Sequence, residues 1–173
     1  MKRNLTTLVL VGASVMATGP LWAADKVELT TRVSGMVDQV LVKPGQRVGK
    51  GDVLLRLGKT IFQARLDEAA AELKRAQLEE ADAKRDLDRA QDMFNRTVSS
   101  TSELDAATLR HARAQAAVAA ANARRVIAQQ NLNDAELKAP FDGVVDSLPG
   151  APGTVVSAEC QPRTLVVMSA RRP

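Results

Sequence analysis

The sequence predicts an α+β protein in which an antiparallel α-helical coiled-coil hairpin is inserted between two halves of a flattened β sandwich. Three observations carry this. Residues 60–137 hold two heptad patterns separated only by the five residues 97–101. On either side the chain turns to short Val and Leu runs cut by Gly and Pro, the punctuation of strands and turns. Those two flanks also match each other without gaps, 108 residues apart.

Residues 1–23 read as an export signal: Lys2 and Arg3, an apolar run from Leu5 to Ala17, then Gly19, Pro20 and the small residues Ala23 and Ala24. The run is too short for a bilayer core that needs ~20 apolar residues. Leu21 stands where a small residue favours cleavage, so an uncleaved inner-membrane anchor is the alternative. No Cys near this leader could carry a lipid.

The first β half covers residues 25–58. Gly35, Val37, Asp38, Pro44, Gly45 and Val48 recur as Gly143, Val145, Asp146, Pro152, Gly153 and Val156 in the second half, residues 139–170. Such a repeat is the mark of two copies of one unit. Neither copy is large enough to bury its own apolar face, so the two are expected to pack together. The hairpin, residues 59–138, then sits in the connection between them.

In the first arm the seam reads Phe62, Leu66, Ala69, Leu73, Ala76, Glu80, Ala83, Leu87, Ala90 and Phe94. In the second it reads Leu104, Ala107, His111, Ala114, Val118, Ala121, Arg125, Ala128, Leu132 and Ala135. With Leu66 and Leu104 at position a, every later d position is alanine. Small d residues let antiparallel helices approach at the near end of the ~8–10 Å range. Thr60 with Gln63, and Ser100 with Glu103, have the spacing of capping boxes at the two helix starts. Pro140 stops the return helix just past Leu137.

Composition excludes several functions. With three Phe, one Trp and no Tyr, a large globular core is improbable. The net charge of +4 falls to +2 without Lys2 and Arg3, and the helical charges alternate in sign, as on a solvated face. No basic cluster is paired with aromatic residues, which argues against nucleic acid. His111 is the one histidine and lacks companion ligands, so it reads as a seam residue and no metal is expected. Cys160 has no partner in the chain and reads as an unpaired, buried thiol. A nucleophile triad and a Gly-rich phosphate loop are both missing, so no catalytic residues are assigned.

Two related β halves around a long hairpin, behind an export signal, resemble the periplasmic adaptor (membrane fusion protein) family of Gram-negative tripartite efflux and secretion systems. The strings that carry the resemblance are VSG at 33–35, VLVKPGQRVGKGDVL at 40–54 and LKAPFDGVV at 137–145. The resemblance implies a lipoyl/biotinyl-like sandwich and a periplasmic, envelope-associated protein without enzymatic activity or cofactor. Its role would be to bridge an inner-membrane transporter, directly or through a longer adaptor, and an outer-membrane channel protein, as a homo- or hetero-oligomer. At the tip, Arg89, Met93 and Ser100 have the spacing of the family's Arg, Leu and Ser motif, which contacts the channel. Met93 stands in place of the usual Leu. The chain stops at Pro173, short of the β-barrel and membrane-proximal domain of such adaptors, which leaves a minimal adaptor and a truncated product as alternatives.

Two other readings stay open. Carrier domains bear a modified Lys on the turn between their halves, and Lys59 lies close to that point, although the turn has here become two helices. An accessory coiled-coil protein of the envelope is the third reading. Arg89, at an outward c position, has an ordinary role as the partner of Asp86 or Asp92, and Ser100 has one as a helix cap.

Overall fold

The structure, a computed structural model, describes residues 26–96, 100–158 and 163–170. The export signal read at 1–23, most of the tip and Cys160 lie outside these described residues. The element order is β1 (Lys26–Leu29), β2 (Gly35–Val40), β3 (Arg47–Val48), β4 (Val53–Leu57), α1 (Thr60–Asn95), α2 (Thr101–Asp134), β5 (Glu136–Lys138), β6 (Gly143–Ser147), β7 (Val155–Val156) and β8 (Val166–Ala170).

The strands form two antiparallel sheets of order β1-β8-β6-β3 and β5-β4-β2-β7. One sheet takes two strands from each half, and the other takes β2 and β4 from the first half, β7 from the second and β5 from the stretch just before it, so the halves interlock as well as pack. The sequence repeat is an internal two-fold symmetry of pairing. Gly35 pairs with Val156 and Met36 with Val155; their counterparts Gly143 and Val144 pair with Val48 and Arg47. The Gly45 N–H donates to the Val145 carbonyl at 2.7 Å, and its counterpart Gly153 donates to Val37 at 2.8 Å.

Both glycines follow a proline and lie at positive φ, 81° and 85°. In each turn the residue after the glycine donates back to the residue before the proline, Gln46 to Lys43 and Thr154 to Ala151. This is type II turn chemistry: Pro fixes the first corner and Gly supplies the left-handed second. Beyond β7 the offset changes. Val37 pairs with Leu57 while Val145 pairs with Met168, so these mates stand 111 residues apart and the second half carries three extra residues before β8.

The core lies between the sheets, where Leu54, Leu55, Leu57, Leu165, Val166 and Met168 are fully buried. Burial of each such side chain stabilises by about 1.5–3 kcal/mol. Phe62 from the start of α1 and Ala135 from the end of α2 join the same cluster, which seats the hairpin in the sandwich. Gly143 is required by space, because a Cβ there would lie 2.3 Å from the Ser169 carbonyl oxygen.

The hairpin follows its heptads. All of the predicted seam positions are buried or half-buried, and the d residues Ala76, Ala107, Ala121 and Ala135 are at most 2% exposed. The 36 residues of α1 span roughly 54 Å at 1.5 Å per residue. Among the described residues no helix is long and apolar enough to cross a membrane.

Two expectations are corrected. The return helix ends at Asp134 and does not reach Leu137, because Glu136–Lys138 pairs with β4 as a strand. Leu137 there lies opposite Leu55, and Glu136 opposite Arg56, so strand pairing and a cross-strand ion pair outweigh continuation of the helix. The first capping box does not form either. The N-cap is Lys59, the Gln63 N–H bonds the Lys59 carbonyl, and the Gln63 side chain turns to Asp67. At the second start Ser100 is extended, and its hydroxyl accepts from the Glu103 N–H at 3.4 Å, as its spacing predicts.

Candidate functional site at the hairpin tip

Helix α1 carries Arg89 and Met93 one turn apart, near the end farthest from the sandwich, so both side chains project to one side of the arm. The Arg89 guanidinium lies 3.5 Å from the Asp86 carboxylate and remains 71% exposed. Asp86 also faces Arg110 on the return arm, at 4.0 Å. Of the two carboxylates that spacing offers Arg89, the structure selects Asp86. Met93 is 42% exposed while its neighbour Phe94 turns into the seam. An apolar group held open beside a cation can take part in a contact that is partly greasy and partly hydrogen-bonded. Ser100 is exposed at the start of α2 with its hydroxyl engaged as a cap.

His111 has a partner that the heptad reading did not supply. Its Nε2 lies 2.9 Å from Glu80 Oε1, so two of the seam's polar residues meet across the hairpin. Both hold a positions, and facing a layers were the signal that could have joined them. Arg125, the remaining polar seam residue, has a buried Nε without a hydrogen-bond partner among the described residues.

Lys59 lies in an ion cluster at the hairpin root. Its Nζ is 2.6 Å from Glu136 Oε1, which also accepts from Arg56 Nε at 3.2 Å, while Lys138 Nζ is 3.5 Å from Oε2. The Lys59 hydrogen bond, aided by the charges of Lys59 and Lys138 against the cost of burial, holds the Glu136 carboxyl below the usual carboxylate range. One carboxylate thus ties together β4, the start of α1 and β5. Sequence reasoning missed this cluster because it took residue 136 to be helical.

Residues 25–169 match the family described as RND MFP, barrel-sandwich hybrid domain. The chain is 32% identical over 160 residues to the uncharacterized protein YdhJ of Escherichia coli K12, an alignment covering 84% of this chain and 56% of YdhJ. It is 33% identical over 149 residues to the efflux pump periplasmic linker BepF of Brucella suis biovar 1, covering 86% of this chain and 36% of BepF. It therefore spans between about a third and just over half of these relatives' length. The membrane fusion protein Spr0693 of Streptococcus pneumoniae R6 has the same fold, with a TM-score of 0.65 over 84% of this chain and 59% of that structure, at 19% identity. The match over 25–169, the interlocked β halves and the hairpin rising from between them place this chain in the membrane fusion protein family, the periplasmic adaptors of efflux systems.

Proposed function

We propose that the protein is the periplasmic adaptor subunit of a tripartite efflux or secretion system, linking an inner-membrane transporter to an outer-membrane channel, with the hairpin tip as the channel contact. The observation that carries this reading is the position of Arg89 and Met93. They are open to solvent at the far end of a two-helix rod whose root is locked into the sandwich by Phe62, Ala135 and the Glu136 cluster. The name of BepF, a periplasmic linker of an efflux pump, supports the same role. Work of this kind is done by geometry and binding, with no substrate turned over by the chain's own residues. The transporter is reached directly or through a longer adaptor, within an oligomer.

The test is photocrosslinking in cells. A crosslinker at Met93 is expected to capture an outer-membrane channel, while one at the exposed root residue Gln130 captures none. Equal capture from both positions, or no capture from Met93, overturns the proposal.

A further inference from the structure

Near the root, the two arms leave an open groove of about 730 Å³, inside the ~300–1,000 Å³ span of small-molecule sites. Its floor is apolar, formed by Phe62, Ala69 and Ala128, and Ile127 stands beside it 60% exposed. Three arginines also line it, Arg65 and Arg75 on α1 and Arg124 on α2.

Neither Arg65 nor Arg124 makes a hydrogen bond or a contact ion pair among the described residues. The nearby carboxylate that could neutralise them, Glu72, is already occupied. Arg75 donates to both of its oxygens, at 2.7 and 3.0 Å, and Arg124 acts on it only as a more distant charge. Glu68 also borders the groove and stays exposed to water. Arg75, which also borders the groove, is engaged by Glu72 and Glu79, as Lys84, Arg85 and Arg89 are by carboxylates one turn away. Arg65 and Arg124 line the same largely apolar groove without a carboxylate partner of their own among the described residues.

We propose that this groove binds a free amphipathic organic anion, whose carboxylate or sulfonate lies between Arg65 and Arg124 and whose apolar body covers Phe62, Ile127 and the alanine floor. A small anion fits the charge pattern better than a second helix does. It neutralises both arginines with one head group, whereas a helix laid over the groove would also have to cover Glu68. The site lies at the opposite end of the rod from Arg89 and Met93, so it stands or falls independently of the docking role.

The test is a fluorescence titration of the full chain with anilinonaphthalene sulfonate, using neutral phenylnaphthylamine as the control of similar shape. The sulfonate is expected to bind saturably, one per chain. Arg65→Gln with Arg124→Gln should weaken it by about tenfold or more, as expected for losing charge-assisted contacts, and should leave the neutral probe unchanged. Ile127→Glu, at an exposed position, should also weaken the sulfonate, by setting a carboxylate against its apolar body and adding negative charge to the groove. Helix content and melting of each variant are checked against the parent by circular dichroism. The proposal is overturned by non-saturable binding, by equal affinity in the arginine variants, or by loss of the site as the chain self-associates, which would make the groove a contact between copies.

Discussion

His111 Nε2 lies 2.9 Å from Glu80 Oε1 across the hairpin, with the two side chains 15% and 28% exposed. Leucine, valine or phenylalanine occupies most other a positions, so this pair replaces apolar packing with a contact that is satisfied only when both partners are present. His111→Leu alone would leave the Glu80 carboxylate against a leucine, and about 1–2 kcal/mol of stability should be lost. Joining it with Glu80→Leu should recover that loss or exceed the parent, as for polar pairs exchanged for well-packed apolar ones. Thermal unfolding of the four proteins forms a double-mutant cycle. Additive effects of the two substitutions would mean the contact contributes nothing.

The hairpin was legible because its signal is periodic and long. Twenty seam positions repeat one requirement, and single polar exceptions such as Arg125 do not erase it. The repeat of Pro44 and Gly45 as Pro152 and Gly153 was legible for a related reason: identical turn geometry demands identical Pro-Gly pairs. What stayed hidden was decided by tertiary pairing. Ala135 continues the heptad of α2 and nothing before Pro140 breaks the helix, and only the edge of β4, which the local sequence does not display, converts Glu136–Lys138 into a strand. The interlocking of sheets was hidden too, since pairing partners cannot be read from two short Val runs. At the tip, spacing named Arg89, Met93 and Ser100, but the choice of Asp86 over Asp92 as the Arg89 partner needed coordinates.

The Glu136 cluster gives the protein a pH-dependent brace. Its folded-state carboxyl is held below its ordinary value of 4.5, chiefly by the Lys59 hydrogen bond. Such a group contributes stability that is full above the ordinary value and is lost as the pH falls through the lowered one. Glu136→Gln should therefore melt below the parent at neutral pH, and the difference should shrink as the pH falls below 4.5. Arg56, Lys59 and Lys138 are 40%, 45% and 50% exposed, so water screens the cluster, and an effect of about 1 kcal/mol is expected. A difference that persists unchanged to acid pH would assign the loss to packing.

The β sandwich should fold without the rod, provided the cut respects the root. Excising residues 60–137 removes both β5 and Phe62, so that protein should fail to unfold cooperatively. Excising residues 64–133 behind a short Gly-containing link keeps Phe62, Ala135 and β5. The chain ends to be joined are already close, since the Leu57 N–H donates to the Ala135 carbonyl at 2.8 Å. This second protein should be soluble and show one cooperative transition by circular dichroism. Equal behaviour of the two deletions would contradict the role given to Phe62 and β5.

Self-association is expected through the backs of the arms. Leu78 and Leu109 hold outward f positions, on α1 and α2 respectively, and are 60% and 51% exposed. Each buried alanine methyl contributes only about 0.8 kcal/mol, so the hairpin's own seam is weak and a neighbouring arm would reinforce it. Leu78→Glu and Leu109→Glu should each shift the protein toward monomer in analytical ultracentrifugation with little change in helix content. A parent that is strictly monomeric, alone and with its transport partners, would refute this.

Docking through the tip can be separated from mere support of the hairpin by the choice of substitution. Ser100 is the N-cap of α2, and aspartate caps as well as serine, so Ser100→Asp should preserve the helix start. Arg89 is 71% exposed, and Arg89→Glu exchanges an open ion pair for a repulsion that Arg110, already facing Asp86, partly offsets. Neither change should lower stability by more than roughly 1 kcal/mol. At a docked interface the outcome differs. Arg89→Glu removes a donor fork and sets a carboxylate against acceptors of the partner, where a lost desolvated contact commonly costs ~2 kcal/mol or more. Met93→Ala should weaken docking in the same way by removing the apolar contact, again without unfolding an exposed position. The readout is crosslinking of the tip to the channel in cells, measured beside thermal unfolding of the purified variants. Crosslinking should fall sharply in Arg89→Glu while melting stays near that of the parent. Crosslinking that survives Arg89→Glu, or that falls only in step with melting, would leave Arg89 and Ser100 as parts of the hairpin and nothing more.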